Sequence, residues 1–154
     1  MWISWPVKAA LLLVAANAFA HPVTDCFFEA GERYNIDPLL LWSIGKTESG
    51  FNPRAINRNS GSYDIGIMQI NSAWLPTLSR YGILPASLYD PCTNIRVGAW
   101  ILAQNIRRHG YNWKAVGAYN AATPSKQVIY ARKVLSLAHR TAQQAVVQSV
   151  RGGP

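Results

Sequence analysis

Past its first twenty residues, the chain reads as a series of apolar stripes at helical spacing, separated by short polar breaks marked by proline and glycine. Asp25 precedes a segment in which Phe27, Phe28, Ala30 and Tyr34 supply apolar contacts, predicting a first helix capped by that acid. Asp37-Pro38 starts a second helix, with a capping carboxylate and then proline at the first helical position. Leu41, Ile44 and Glu48 follow the i, i+3, i+7 pattern on one face, and Gly50 stops that helix. From Asn52 to Ser62 the composition turns to Asn, Arg, Ser, Gly and Pro, predicting an irregular loop. A short β-prone run, Tyr63 to Asn71, is interrupted at Gly66. Ser72 then caps a short helix carrying Trp74, Leu75 and Leu78 that ends near Tyr81-Gly82.

Asp90-Pro91 repeats the cap-then-proline signal, and Cys92, Ile95, Ala99, Leu102 and Ile106 form the stripe of the helix that follows, ended by Gly110. Asn112 caps a segment from Trp113 to about Ala121, broken by Thr123-Pro124. A last helix from about Lys126 to His139 groups Val128, Ala131, Leu135 and Ala138. These readings predict a mainly α single domain over residues 21–140, with a short β-prone, irregular segment around 63–71 and a flexible tail at 141–154. There are no internal repeats and no domain-scale linker.

Residues 1–20 change the setting. Lys8 supplies a positive charge, Ala9 to Ala16 an apolar core and Ala18-Phe19-Ala20 a small-x-small cleavage site, the pattern of a secretory signal peptide. An uncleaved anchor starting at Trp2 is the alternative. Export would start the mature chain at His21 and place it in the periplasm. There the two cysteines, Cys26 and Cys92, are most simply a disulfide. The sharper reading, a Cys nucleophile, finds no His in a partner motif, and His21, His109 and His139 lack metal-ligand spacing. The net charge of +8 suits a polyanion, but the basic residues are scattered and form no nucleic-acid signature.

With only seven acidic residues, elimination is informative. Asp25, Asp37 and Asp90 look like helix caps, and Glu29 and Glu32 belong to the exposed side of the first helix. Glu48 and Asp64 remain. Glu48 sits where its stripe wants an apolar residue, at the negative end of a helix, and both influences favour its protonated form. A raised-pKa acid paired with a second carboxylate in a polar loop matches the logic of glycoside cleavage. The bland alternatives are that Glu48 turns to solvent and that Asp64 caps the turn at Gly66. Nothing around Ser49 supplies a serine-nucleophile context. Trp, Tyr, Asn and Gln in loops and at helix ends suit sugar faces and N-acetyl groups, although any single Trp is more readily a core residue.

Glu48-Ser49-Gly50-Phe51, Gly66-Ile67-Met68-Gln69-Ile70-Asn71 and Ala118-Tyr119-Asn120-Ala121, with Tyr130 beyond, resemble the signature motifs of the soluble lytic transglycosylases. The likeness covers roughly residues 24–135. Asp25-Cys26, Asp90-Pro91-Cys92-Thr93-Asn94-Ile95 and Gly98-Ala99-Trp100-Ile101-Leu102 are closer to the small members that accompany type III secretion, type IV pili and conjugation. The resemblance implies a lysozyme-like fold, a monomer with no cofactor and no metal, and peptidoglycan glycan strands as substrate. Inner-membrane or periplasmic components of a secretion, pilus or conjugation apparatus would be partners, and nucleic acid would not. Glu48 would protonate the bond between N-acetylmuramic acid and N-acetylglucosamine, then deprotonate the muramyl 6-hydroxyl to leave a 1,6-anhydro end. Ser49 would orient the acetamido group or the carboxylate, and Gln69 and the Met68 backbone would line the sugar site. Tyr119 would hydrogen-bond Glu48, Asn120 would hold the sugar and Tyr130 would support the acid.

Two departures stand out. Ala122 replaces the glycine that usually follows the third motif. Tyr63 to Ser72 is similar to the segment carrying the second carboxylate of animal-type lysozymes, with Asp64 in its place. A hydrolytic lysozyme using Glu48 and Asp64, and a non-catalytic glycan-binding assembly factor, are the competing expectations.

Overall fold

A computed structural model describes residues 23–151; the signal sequence expected at 1–20 and the final Gly152-Gly153-Pro154 lie outside the described residues. Two of the expected starts are built as read. Asp37 Oδ1 accepts from the Leu39 N–H at 2.8 Å to open α2, Pro38–Ser49, and Asp90 Oδ1 accepts from the Thr93 N–H at 2.8 Å to open α4, Pro91–His109. The first helix, α1, starts at Val23 and runs to Tyr34, so Asp25 lies within its first turn instead of capping it, where its charge still meets the positive end of the helix. Phe27 and Ala30 of α1 are buried, whereas Phe28 is 60 % exposed and contributes little to the core.

The stretch expected to be an irregular loop contains a strand. β1, Ile56–Asn59, pairs antiparallel with β2, Ser62–Ile65, which pairs in turn with β3, Ile70–Asn71. All four residues of β1 are exposed, so an edge strand with no buried face leaves no alternation to read. The register sets Asn57 and Asn71 on either side of Asp64. After β3, a 3-10 turn at Ser72–Trp74 leads into α3, Leu75–Ser79. Its cap is Asn71, whose Oδ1 accepts from the Ala73 N–H, and Ser72 Oγ instead accepts from the Tyr63 N–H at 3.1 Å. A 3-10 turn at Pro85–Tyr89 precedes α4, and α5, Trp113–Asn120, is capped by Asn112.

The core forms where α2, α4 and the β2–β3 turn meet, with Leu41, Ile44, Ile67, Met68, Ile95, Ala99 and Leu102 all fully buried. Gly98 of α4 makes that approach possible, because a Cβ there would lie 2.8 Å from Met68 Cβ. Cys26 and Cys92 form a disulfide that ties α1 to the first turn of α4, with Cα atoms 5.1 Å apart.

The last helix, α6, departs most from expectation. It spans Pro124–Arg151, beyond the expected end at His139, and residues 142–151 are exposed throughout. Its buried face is Gln127, Tyr130, Ala131 and Val134, while Val128 and Leu135 are 37 % and 39 % exposed. Polar hooks explain the rotation. Gln127 Nε2 donates to the Ala121 carbonyl at 2.9 Å, and Tyr130 reaches across to Glu48. Gly117 of α5 admits this packing, since a Cβ there would sit 2.6 Å from Gln127 Cβ.

Candidate active site

Glu48 occupies the last turn of α2, and Gly50 takes the left-handed conformation (φ 63°) that ends the helix behind it. Its half-buried carboxylate receives two side-chain donors on Oε1, from Tyr130 Oη at 2.5 Å and from Asn120 Nδ2 at 3.5 Å. Burial pushes its pKa above the ordinary carboxylate range, and the charge of Asp64 adds to the rise. The bonds from Tyr130 and Asn120, with the Lys133 charge, oppose it only in part. The balance shifts Glu48 toward the protonated form that a general acid requires. Burial and the neighbouring Glu48 charge also raise the Tyr130 pKa, so this phenol stays a donor.

The expected partner of Glu48, Tyr119, is engaged elsewhere. Its hydroxyl donates to the Met68 carbonyl at 2.9 Å, so Tyr130, one helix further on, makes the direct bond. Ser49 is likewise turned from the carboxylate: Oγ donates to the Ile67 carbonyl at 2.8 Å and accepts from the Asn52 N–H at 3.1 Å. Both residues thus fasten the β2–β3 turn to the helices around it.

That turn, residues 66–69, is held from below by Asn94, a residue whose role the sequence reading did not assign. Asn94 is 1 % exposed. Its Oδ1 accepts from the Met68 N–H at 2.7 Å, and its Nδ2 donates to the Ile65 and Leu88 carbonyls at 2.9 and 2.8 Å. Gly66, at φ 74°, lies against it; a Cβ there would come within 2.3 Å of Asn94 Nδ2. Gln69 adopts a left-handed φ of 49° and is braced by its own Nε2 donating to the Gly66 carbonyl at 2.9 Å.

Asp64 stands in the middle of the sheet with an amide on each oxygen: Asn59 Nδ2 on Oδ2 and Asn71 Nδ2 on Oδ1, both at 2.7 Å. It does not cap the turn at Gly66, whose N–H donates to the Ala55 carbonyl at 2.8 Å. Glu48 and Asp64 line one open cleft of about 490 Å³ together with Asn57, Gln69, Trp74 and Asn120. Tyr119 also lines it, whereas Ser49 and Tyr130 support it from behind, and the Met68 backbone, expected to line the sugar site, is taken up by Asn94 and Tyr119 instead. Asn57 and Asn59 were not singled out from sequence, where the only signal was the Asn-rich composition before the β-prone run; Asn71 was read only as part of the second motif and Trp74 only as part of the short helix. Among the described residues no group of three His, Cys, Asp or Glu is placed to hold a metal, and no helix is long and apolar enough to cross a membrane.

A protonatable carboxyl at a helix end, facing a sheet-borne carboxylate across a polar, asparagine-lined cleft, defines a lysozyme-like domain. A profile of the transglycosylase SLT domain matches residues 25–133, and the chain belongs to that family. It is 45 % identical to the invasion protein IagB of Salmonella typhimurium over 105 residues, 67 % of this chain and 66 % of IagB, so it spans just under two thirds of that relative. It is 46 % identical to the X polypeptide of Escherichia coli K12 over 114 residues, 73 % of this chain and 67 % of that protein. Over 105 residues it is 45 % identical to the protein IpgF of Shigella flexneri, with 67 % of this chain and 69 % of IpgF covered. The fold is similar to that of an inactive mutant of the lytic transglycosylase Slt from Pseudomonas aeruginosa. The TM-score is 0.65 at 23 % identity, covering 83 % of this chain and 25 % of Slt.

Proposed function

We propose that this protein is an exported lytic transglycosylase acting in the periplasm. It would cleave the β-1,4 bond between N-acetylmuramic acid and N-acetylglucosamine in peptidoglycan and open the wall locally for a secretion, pilus or conjugation apparatus. The observation that carries the reading is the environment of Glu48: half-buried, raised in pKa and held by Tyr130 at the rim of a glycan-sized polar cleft. In the first step the Glu48 proton passes to the glycosidic oxygen as the C1–O bond breaks, leaving Glu48 ionised. The carboxylate then takes the proton of the muramyl 6-hydroxyl as that oxygen bonds to its own C1. This restores the acid and yields the anhydro end, with no water consumed. Tyr130 and Asn120 favour the ionised form of Glu48 while it waits between the steps. The family assignment supports the reaction class, and the name of IagB, an invasion protein, suits wall opening in the service of a cell-surface machine.

Asp64 favours a second reading, because it faces the same cleft as an oriented carboxylate. It would stabilise the cationic sugar, and if water reached that sugar, hydrolysis would follow. Digests of purified peptidoglycan separate these outcomes by mass: anhydro ends for transglycosylation, reducing ends for hydrolysis. Glu48→Gln should abolish both, and a fully active Glu48→Gln protein would sink the assignment of the acid. Full complementation in cells by a Glu48→Gln protein that no longer cleaves would instead favour the non-catalytic assembly role. Asp64→Asn should lower cleavage by about 100-fold if the carboxylate stabilises the transition state. An unchanged rate would leave Asp64 with the cleft's architecture alone.

A further inference from the structure

Trp74 lines the cleft, and Trp100, packed edge to face with it at 5.3 Å between ring centroids, lines a second cavity of about 590 Å³. This cavity is built on the face of α4 opposite its core stripe, where Thr93, Arg96, Val97 and Trp100 follow i, i+3, i+4, i+7. The last turn of α1 adds Arg33 and Tyr34. After α3, Gly82 at φ 73° turns the chain back, the Ile83 N–H donates to the Leu78 carbonyl at 3.1 Å, and Tyr81 and Ile83 join the lining. Two of the lining residues are arginines and none is acidic. Asp90, whose charge acts on Arg96, and Glu29, one turn before Arg33, do not line it. Arg96 Nη2 donates to Thr93 Oγ1 at 3.2 Å, and Arg33 Cζ stands 5.9 Å from the Tyr34 ring centroid. Both arginines are exposed, and Tyr81 at the rim is 72 % exposed.

We propose that this cavity docks an acidic segment of another protein, one that carries a large apolar side chain beside its carboxylates. Two guanidinium groups with no acid among the lining select carboxylates, which they hold in a planar fork. The aromatic and aliphatic remainder selects a side chain that gains by leaving water. Two alternatives fit less well. The peptide stems of the wall offer carboxylates but only methyl and methylene groups beside them, and so answer the arginines alone. A second copy would present the exposed Phe28 and Glu32. At about 100° per residue, however, Phe28 sits roughly 120–140° around α1 from Tyr34 and Arg33, so copies would chain head to tail without closing into a dimer. The proposal does not depend on the catalytic reading, because the two cavities share no residue.

The test titrates the purified chain in a calorimeter with the blocked peptide acetyl-Glu-Asp-Phe-Asp-Glu-amide. One-to-one binding should appear and should weaken as salt is added. Arg33→Glu with Arg96→Glu should weaken it by about tenfold or more, and a Lys-flanked version of the probe should then bind in its place. Exchanging Phe for Ala in the probe should cost a similar factor, since the ring no longer leaves water. Neither arginine lines the cleft, so peptidoglycan cleavage by the double variant should match the parent. No binding, or binding that ignores the arginine changes or the loss of the ring, would overturn the proposal. So would a double variant that loses activity on peptidoglycan bearing its stems while cleaving denuded glycan normally, which would assign the cavity to the wall peptide. Head-to-tail association of the chain, undone by the same arginine changes in sedimentation runs, would assign it to a second copy.

Discussion

Replacing Asn94 by Leu tests whether the cleft depends on a single buried amide. The substitution keeps the branched skeleton and leaves no cavity, so the loss is that of hydrogen bonds, with overpacking added because two methyl groups are bulkier than the amide oxygen and nitrogen. Three backbone groups lose their partner: the Met68 N–H and the carbonyls of Ile65 and Leu88. Each unmet buried group costs about 1–3 kcal/mol, so the sum is roughly 3–6 kcal/mol once some local relaxation is allowed. That is a large part of the roughly 5–15 kcal/mol by which domains are stable. At about 3 °C per kcal/mol for a chain of this size, the melting temperature should fall by roughly 10–20 °C. Calorimetry or far-UV circular dichroism reads the change. Peptidoglycan cleavage, assayed well below the new midpoint, should drop by at least about tenfold, because the Met68 carbonyl that anchors Tyr119 and the Gln69 turn shift together. A variant melting within about 3 °C of the parent would refute the reasoning, since the turn would then be held by its packing.

Two further predictions concern Glu48. Tyr130→Phe removes the strongest bond to its carboxylate, so its pKa should rise further; the alkaline limb of the pH–rate profile should move to higher pH while the maximal rate falls by about tenfold or more. A limb that stays in place or moves down would show that this bond does not govern the acid. Because burial raises the folded-state pKa of Glu48, the native state holds a proton that the unfolded chain releases near pH 4, and stability declines as pH rises through that window. Glu48→Gln should therefore melt above the parent at pH 7, with the gap closing toward pH 4. A lower melting temperature at pH 7 would contradict the desolvation account.

How much of this was legible depended on whether a residue's role is local. Asp37, Asp90 and Asn112 cap their helices through bonds two or three residues away, and the stripe of Ile95, Ala99 and Leu102 faces the core at the spacing read from sequence. Glu48 was visible because a carboxylate interrupted an apolar stripe. What failed to show needed contacts across the chain. β1 lacks a buried face, so only its partner strand reveals it. The orientation of α6 is decided by Gln127 and Tyr130, whose bonds reach α5 and α2, and an apolar count put the buried face one residue off. The exchange of roles between Tyr119 and Tyr130 has the same origin, as nothing in either local sequence says which hydroxyl meets Glu48. Asn94 carried only a faint sign, one amide beside the apolar stripe of α4.

The acid's surroundings are drawn from residues 48, 120 and 130, on α2, α5 and α6. A chain emerging from its amino end presents Glu48 early, solvated and ordinary in pKa. A chain cut before α6 would lack the Tyr130 hydroxyl that holds Oε1, so the acid's full set of partners exists only when all three helices are packed together.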